Sequence, residues 1–147
     1  MKISIVIIVG LVAVILFQLP VANSTALARQ EQSVWDGVFT EDQARRGGPL
    51  YSMACASCHA ADLTGGETAP ALIGGQFRTN WDGLSVGDLF ERTRVSMPAD
   101  GPGTLTRQQY ADILAFMFFR GEFPAGMSEL SSRTEILKQI AFKATKP

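Results

Sequence analysis

The sequence predicts an all-α fold of three to four helices joined by long loops, and three features of its 147 residues lead there. From Thr106 to about Arg120, the residues Tyr110, Ile113, Leu114, Met117 and Phe118 recur at helical spacing behind a hydroxyl-bearing N-cap. No segment alternates apolar and polar residues convincingly as a strand would, and no internal repeat is present. From Ala60 to Asn80, Gly, Pro and Thr are frequent and no period is sustained, so the stretch reads as one irregular loop. A loop of that length is unusual in a compact domain unless it wraps something.

Residues 1–28 read as an export leader: Met1-Lys2, an apolar run from Ile3 to Phe17, then small and polar residues ending Ala26-Leu27-Ala28. The apolar run is shorter than the roughly 20 residues of a spanning helix. An uncleaved anchor is the alternative if Leu19, Val21 and Ala22 extend the run past Pro20. Cleavage before Arg29 would remove one lysine and no acid, and would place the mature chain in the periplasm. Residues 29–38 then form an N-terminal extension, residues 39–120 the domain, and residues 121–147 a tail packed on it through scattered apolar anchors.

Thr40-Glu41-Asp42-Gln43 starts the first helix, with Thr40 as N-cap, Gln43 placed to close a capping box and two acids at the positive helix end. Gly47, Gly48 and Pro49 predict a break, because two glycines weaken a helix interior and proline has no amide proton. Leu50 to Ala54 resumes helical character. Ser85 caps a short amphipathic helix to Val95 with Val86, Leu89, Phe90 and Val95 as its apolar residues, and it ends just before Met97-Pro98. Asp100-Gly101-Pro102-Gly103 is a turn that leads to the helix capped by Thr106.

Charge is nearly balanced, with 13 Lys plus Arg against 14 Asp plus Glu, so no basic face for nucleic acid is implied. The scarce residues carry more information: there are two cysteines and one histidine, adjacent as Cys55-Ala56-Ser57-Cys58-His59. Cysteines three apart on one helical turn present both thiols to one side, where each can add across a haem vinyl group. His59 is then aimed at the iron, which is why C-x-x-C-H reads as covalent attachment of one haem c. A structural zinc site needs four ligands, and no further Cys or His exists to complete it. A thioredoxin-like pair would follow a strand in a βαβ setting, and none is visible. A plain disulfide leaves the adjacent His59 and the long loop unexplained.

With no second histidine, the sixth iron ligand falls to a methionine, an open position or something less usual. Met53 sits almost on the attachment turn, Met117 lies in the apolar period of the last helix, and Met127 is in the tail. Met97 follows a short helix, precedes Pro98 and is far enough past His59 for the loop to wrap the haem edge. It is therefore the candidate ligand, and the metal set is His59 and Met97.

Cys55-x-x-Cys58-His59, Ala69-Pro70-Ala71-Leu72, Met97-Pro98 and the closing amphipathic helix together resemble a class I cytochrome c domain, from about Phe39 to Phe118. The resemblance implies the class I cytochrome c fold, wrapped around one covalent haem. It implies that the Pro70 carbonyl accepts the Nδ1 proton of His59, fixing the ring as a ligand. It also implies a crossing of first and last helices through Gly47 and Tyr51 against Ile113 and Phe116. Arg78, Asn80 and Trp81 occupy the stretch that hydrogen-bonds a haem propionate in such proteins, although packing alone also accounts for Trp81.

Residues from Phe123-Pro124-Ala125-Gly126 onward resemble cytochrome subunits that serve periplasmic quinoprotein or flavoprotein dehydrogenases. The implied function is single-electron transfer between such a dehydrogenase and a respiratory acceptor, with substrate turnover left to the partner and membrane contact only through an uncleaved leader. The alternative is a haem-based gas sensor or peroxidase-like enzyme in which Met97 detaches. Against that alternative, the chain offers no distal histidine and no obvious acid or base beside the iron.

Overall fold

Thr40 has an extended backbone and its hydroxyl accepts from the Gln43 amide at 3.1 Å, which opens helix α1 (Glu41–Ala54) in this computed structural model. The structure describes residues 31–147, so the leader assigned to residues 1–28 lies outside it. The capping box is only half formed. The Gln43 side chain turns inward and is fully buried, with Nε2 donating to the Leu130 carbonyl at 2.9 Å and Oε1 accepting from the Leu130 amide at 2.7 Å. One side-chain amide thereby satisfies both backbone groups of a tail residue, as a neighbouring strand would.

The break expected at Gly47–Pro49 does not occur, and α1 runs through Pro49. Pro49 lies on the exposed face, where water can satisfy the Arg45 carbonyl that loses its amide partner. Gly47 lies on the opposite, buried face, where α1 crosses α5 (Arg107–Arg120). A Cβ at Gly47 would sit 1.9 Å from the Asp112 carbonyl oxygen and 2.9 Å from Phe116 Cβ, so only glycine allows this approach. The crossing therefore centres on the Asp112 backbone and Phe116, with Ile113 buried in the core, and Tyr51 packs 5.4 Å from the Phe116 ring. Burial of this face outweighs the local cost of the two glycines and the proline.

Helix α2 (Ala56–His59) follows after Cys55, and α3 (Gly74–Trp81) interrupts the stretch expected to be a continuous loop. Two glycines at its start depress helix propensity and no side chain caps it, which hides it in the sequence. Phe77 anchors it, buried 5.8 Å from Phe142 and 6.3 Å from Trp81.

Helices α4 (Val86–Ser96) and α5 match the expected segments, each opened by a full capping box, Ser85 with Asp88 and Thr106 with Gln109. Val86, Leu89 and Phe90 are buried, while Val95, in the last turn, is exposed. On α5, Tyr110, Ile113, Leu114, Met117 and Phe118 are all buried.

The tail is ordered against the domain. Short helix α6 (Thr134–Leu137) packs on α4 and leads to β2 (Ile140–Ala141), which pairs in parallel with β1 (Gln32–Ser33). No strand was predictable there, because two residues carry no period and their partner lies more than a hundred positions away. Phe123 and Phe142 of the tail join Phe77 and Phe118 in one aromatic cluster, with Phe123 and Phe142 centroids 5.6 Å apart. Arg46 ties α1 to both neighbours, 3.3 Å from buried Asp112 and 2.9 Å from Glu129. Beside α6, Glu91 receives bonds from Arg94 and Thr134, which hold its carboxyl at about 2, well below the usual range.

Candidate haem-binding site

Cys55 closes α1, its amide donating to the Tyr51 carbonyl at 2.8 Å. Its own carbonyl accepts from the amides of Cys58 at 3.2 Å and His59 at 3.0 Å, so Cys55, Cys58 and His59 share one tight turn. No disulfide joins the two cysteines; Cys55 is half-buried and Cys58 exposed. Burial, followed by the neighbouring Cys58, pushes the Cys55 thiol up to about 11, so it stays protonated at neutral pH. Thiol–disulfide catalysts need the opposite, a depressed pKa that supplies thiolate, and Cys55 does not have that character.

His59 is buried, and its Nδ1 lies 2.8 Å from the Pro70 carbonyl oxygen. A carbonyl can only accept, so Nδ1 carries the proton and Nε2 keeps its lone pair for a metal. The eleven-residue separation is closed by backbone bonds from Gly65 to the His59 carbonyl at 3.0 Å, from Gly66 to Ala69 at 2.9 Å and from Leu72 to Leu63 at 2.9 Å. Gly65 is obligatory in this turn: its φ is +75° and a Cβ would lie 2.5 Å from the Ala71 nitrogen. Tyr51, itself buried, donates to the Ala60 carbonyl at 2.6 Å and so pins the exit of the attachment turn. Burial raises its phenol to about 12, which keeps that donor protonated.

The methionines separate by exposure. Met53 and Met127 are 73% and 98% exposed, and Met117 is packed in the core of α5. Met97 is half-buried at the C-cap of α4, where its amide donates to the Thr93 carbonyl at 2.8 Å and its carbonyl accepts from Tyr110 Oη at 2.7 Å.

Arg78, Asn80 and Trp81 take separate partners. Asn80 is exposed and accepts from Gln76 at 2.8 Å, while Trp81 packs on Phe77. Arg78 turns to the tail, donating to the Gly121 carbonyl at 2.5 Å, with its guanidinium 5.5 Å from the Trp35 ring and 5.2 Å from the Phe123 ring. Its Nε is buried with no acceptor. A buried guanidinium N–H without a partner is costly, and a carboxylate such as a haem propionate is the type of group that satisfies it. That orphaned donor, the two cysteines on one tight turn and the oriented imidazole fit a covalently held haem. Among the described residues, no three His, Cys, Asp or Glu side chains converge as an all-protein metal site.

Tyr51, Tyr110, Trp35 and Phe123 contribute contacts that the sequence reading did not assign. A buried tyrosine requires a partner for its hydroxyl, which is the signal by which Tyr51 and Tyr110 were open to discovery. Phe123 carries no such signal, and the indole N–H of Trp35 is taken by the Lys143 carbonyl at 3.0 Å, so both reach Arg78 only through the folding of the extension and the tail.

The family described as cytochrome c oxidase, cbb3-type, subunit III matches residues 42–117, just over half of the chain. The match contains Cys55, Cys58, His59, Pro70, Arg78 and Met97, and excludes Trp35 and the whole tail. No curated protein matches the chain. Among solved structures, the sulfane dehydrogenase SoxCD from Paracoccus pantotrophus is similar at 21% identity and a TM-score of 0.48, over 74% of this chain. The chain spans 61% of the length of that one.

Proposed function

The chain belongs to the family of cytochrome c oxidase, cbb3-type, subunit III, and we propose that it is a mono-haem electron carrier in which His59 and Met97 would hold the iron. When bound, haem c supplies one-electron cycling between iron(III) and iron(II). Cys55 and Cys58 hold it through thioethers, and Arg78 offers its unsatisfied Nε to a propionate. The observation that carries this reading is the Nδ1 bond of His59 to the Pro70 carbonyl, which fixes ring orientation and leaves Nε2 as the ligand atom. Tyr51 and the Gly65 turn keep that geometry rigid, so little rearrangement accompanies a change of one charge.

The carrier works in the periplasm after export through residues 1–28, passing electrons from a quinoprotein or flavoprotein dehydrogenase to a respiratory acceptor. Among the described residues, no helix is long and apolar enough to cross a membrane. Two measurements separate this role from gas sensing or peroxidase chemistry. Reductive titration of the holoprotein is expected to consume one electron per chain, and the reduced form is expected to show no spectral change under carbon monoxide. Ready carbon monoxide binding by the unmodified protein would place an open iron position here and reverse the assignment.

A further inference from the structure

We propose that Tyr110 is a positioning residue for Met97, a role that rests on the reading of Met97 as axial ligand. Tyr110 stands in the first turns of α5, is 1% exposed, and uses its one hydroxyl twice. Oη donates to the Met97 carbonyl at 2.7 Å and accepts from the Gly103 amide at 3.1 Å. The two bonds tie Met97, at the end of α4, to Gly103 in the turn that precedes α5. Between them Gly101 N donates to the Pro98 carbonyl at 3.0 Å, and just beyond Gly103 the Thr104 hydroxyl donates to the Gly101 carbonyl at 2.8 Å.

The Met97 backbone has no remaining freedom of partner. Its amide completes the last turn of α4 on Thr93, and its carbonyl is taken by Tyr110. Only the thioether side chain is left without a hydrogen-bonding role. A metal ligand acts from a defined place only if its backbone is held, and here the holding group comes from the helix that also crosses α1 beside the attachment turn. Removing the hydroxyl leaves a carbonyl and an amide to find water, so the segment gains access to arrangements in which Met97 is displaced.

Imidazole, added to the oxidised holoprotein, competes for the position that Met97 occupies, and its affinity reads how firmly that residue is held. Tyr110→Phe keeps the ring and removes the oxygen. It is expected to bind imidazole about tenfold more tightly than the unmodified protein, or about 1.4 kcal/mol, while retaining the near-infrared sulfur-to-iron absorption before imidazole is added. Gln43→Ala, which removes the bonds to Leu130 of the tail and none made by Met97 or Tyr110, is the comparator for general loss of stability and is expected to leave imidazole affinity unchanged. A change below about threefold in Tyr110→Phe, or an equal change in both variants, overturns the positioning role. Absence of the near-infrared absorption from the unmodified holoprotein overturns the ligand assignment of Met97 itself, so the two failures are distinguishable.

Discussion

Met97→Ala is expected to abolish the near-infrared sulfur-to-iron absorption of the oxidised holoprotein and to lower its reduction potential. The fall should be on the order of 0.1 V, within the span of about 0.8 V over which axial ligands act. A thioether favours iron(II), so its loss favours iron(III). Among the described residues no other methionine is placed to substitute: Met53 and Met127 are exposed, and Met117 is buried in the core on α5. The vacated position should then accept imidazole or carbon monoxide. Absorption spectra and potentiometry of the purified variant decide the matter, with Met117→Ala as the control that keeps the absorption. Retention of both absorption and potential in Met97→Ala would show that another residue is the ligand.

Two adjacent glycines of α1 should respond to alanine in opposite directions. At Gly47 the new Cβ would lie 1.9 Å from the Asp112 oxygen and 2.5 Å from its carbonyl carbon, which are backbone atoms of α5 that cannot rotate away. The helices must separate, weakening the Tyr51–Phe116 contact and the Arg46–Asp112 pair. The cost should be about 3 kcal/mol, or a melting point lowered by about 10 °C. At Gly48 the nearest atom to a Cβ is Phe116 Cε2 at 3.5 Å, an ordinary contact. Gly48→Ala should therefore gain helix propensity and raise stability by up to about 1 kcal/mol. Thermal melts of both holoprotein variants test the crossing, and equal effects at the two positions would contradict it.

The parts of this molecule that were legible in the sequence are those whose physics is local. Ser85 and Thr106 announce α4 and α5 because an N-cap and its partner lie three residues apart. The Cys55–His59 turn is legible for the same reason. Pro49 misled because the local cost of a proline is visible while the crossing that offsets it, Gly47 against Asp112, joins residues 65 positions apart. The inward turn of Gln43 toward Leu130, 87 positions away, was hidden in the same way behind a valid local capping pattern. Helix α3 escaped because its anchor, Phe77, gains its partner Phe142 only from the folded tail. At the site, the pairing of His59 with Pro70 was expected from family likeness rather than spacing, and the structure places the two atoms 2.8 Å apart. Arg78 was expected at a haem propionate from family likeness, whereas Trp35 and Phe123, which stack on it, lie more than 40 positions away on either side and give no local signal.

Covalent attachment through Cys55 and Cys58 is the claim on which the rest depends, and denaturing extraction tests it most directly. Acid acetone unfolds the holoprotein and dissolves any haem held only by its iron ligands and by packing. Two thioethers survive that treatment, so the haem colour is expected to stay wholly with the precipitated polypeptide of the unmodified protein. In the Cys55→Ala, Cys58→Ala double variant, any haem acquired should pass into the solvent. Haem appearing in the organic phase from the unmodified protein would contradict the account.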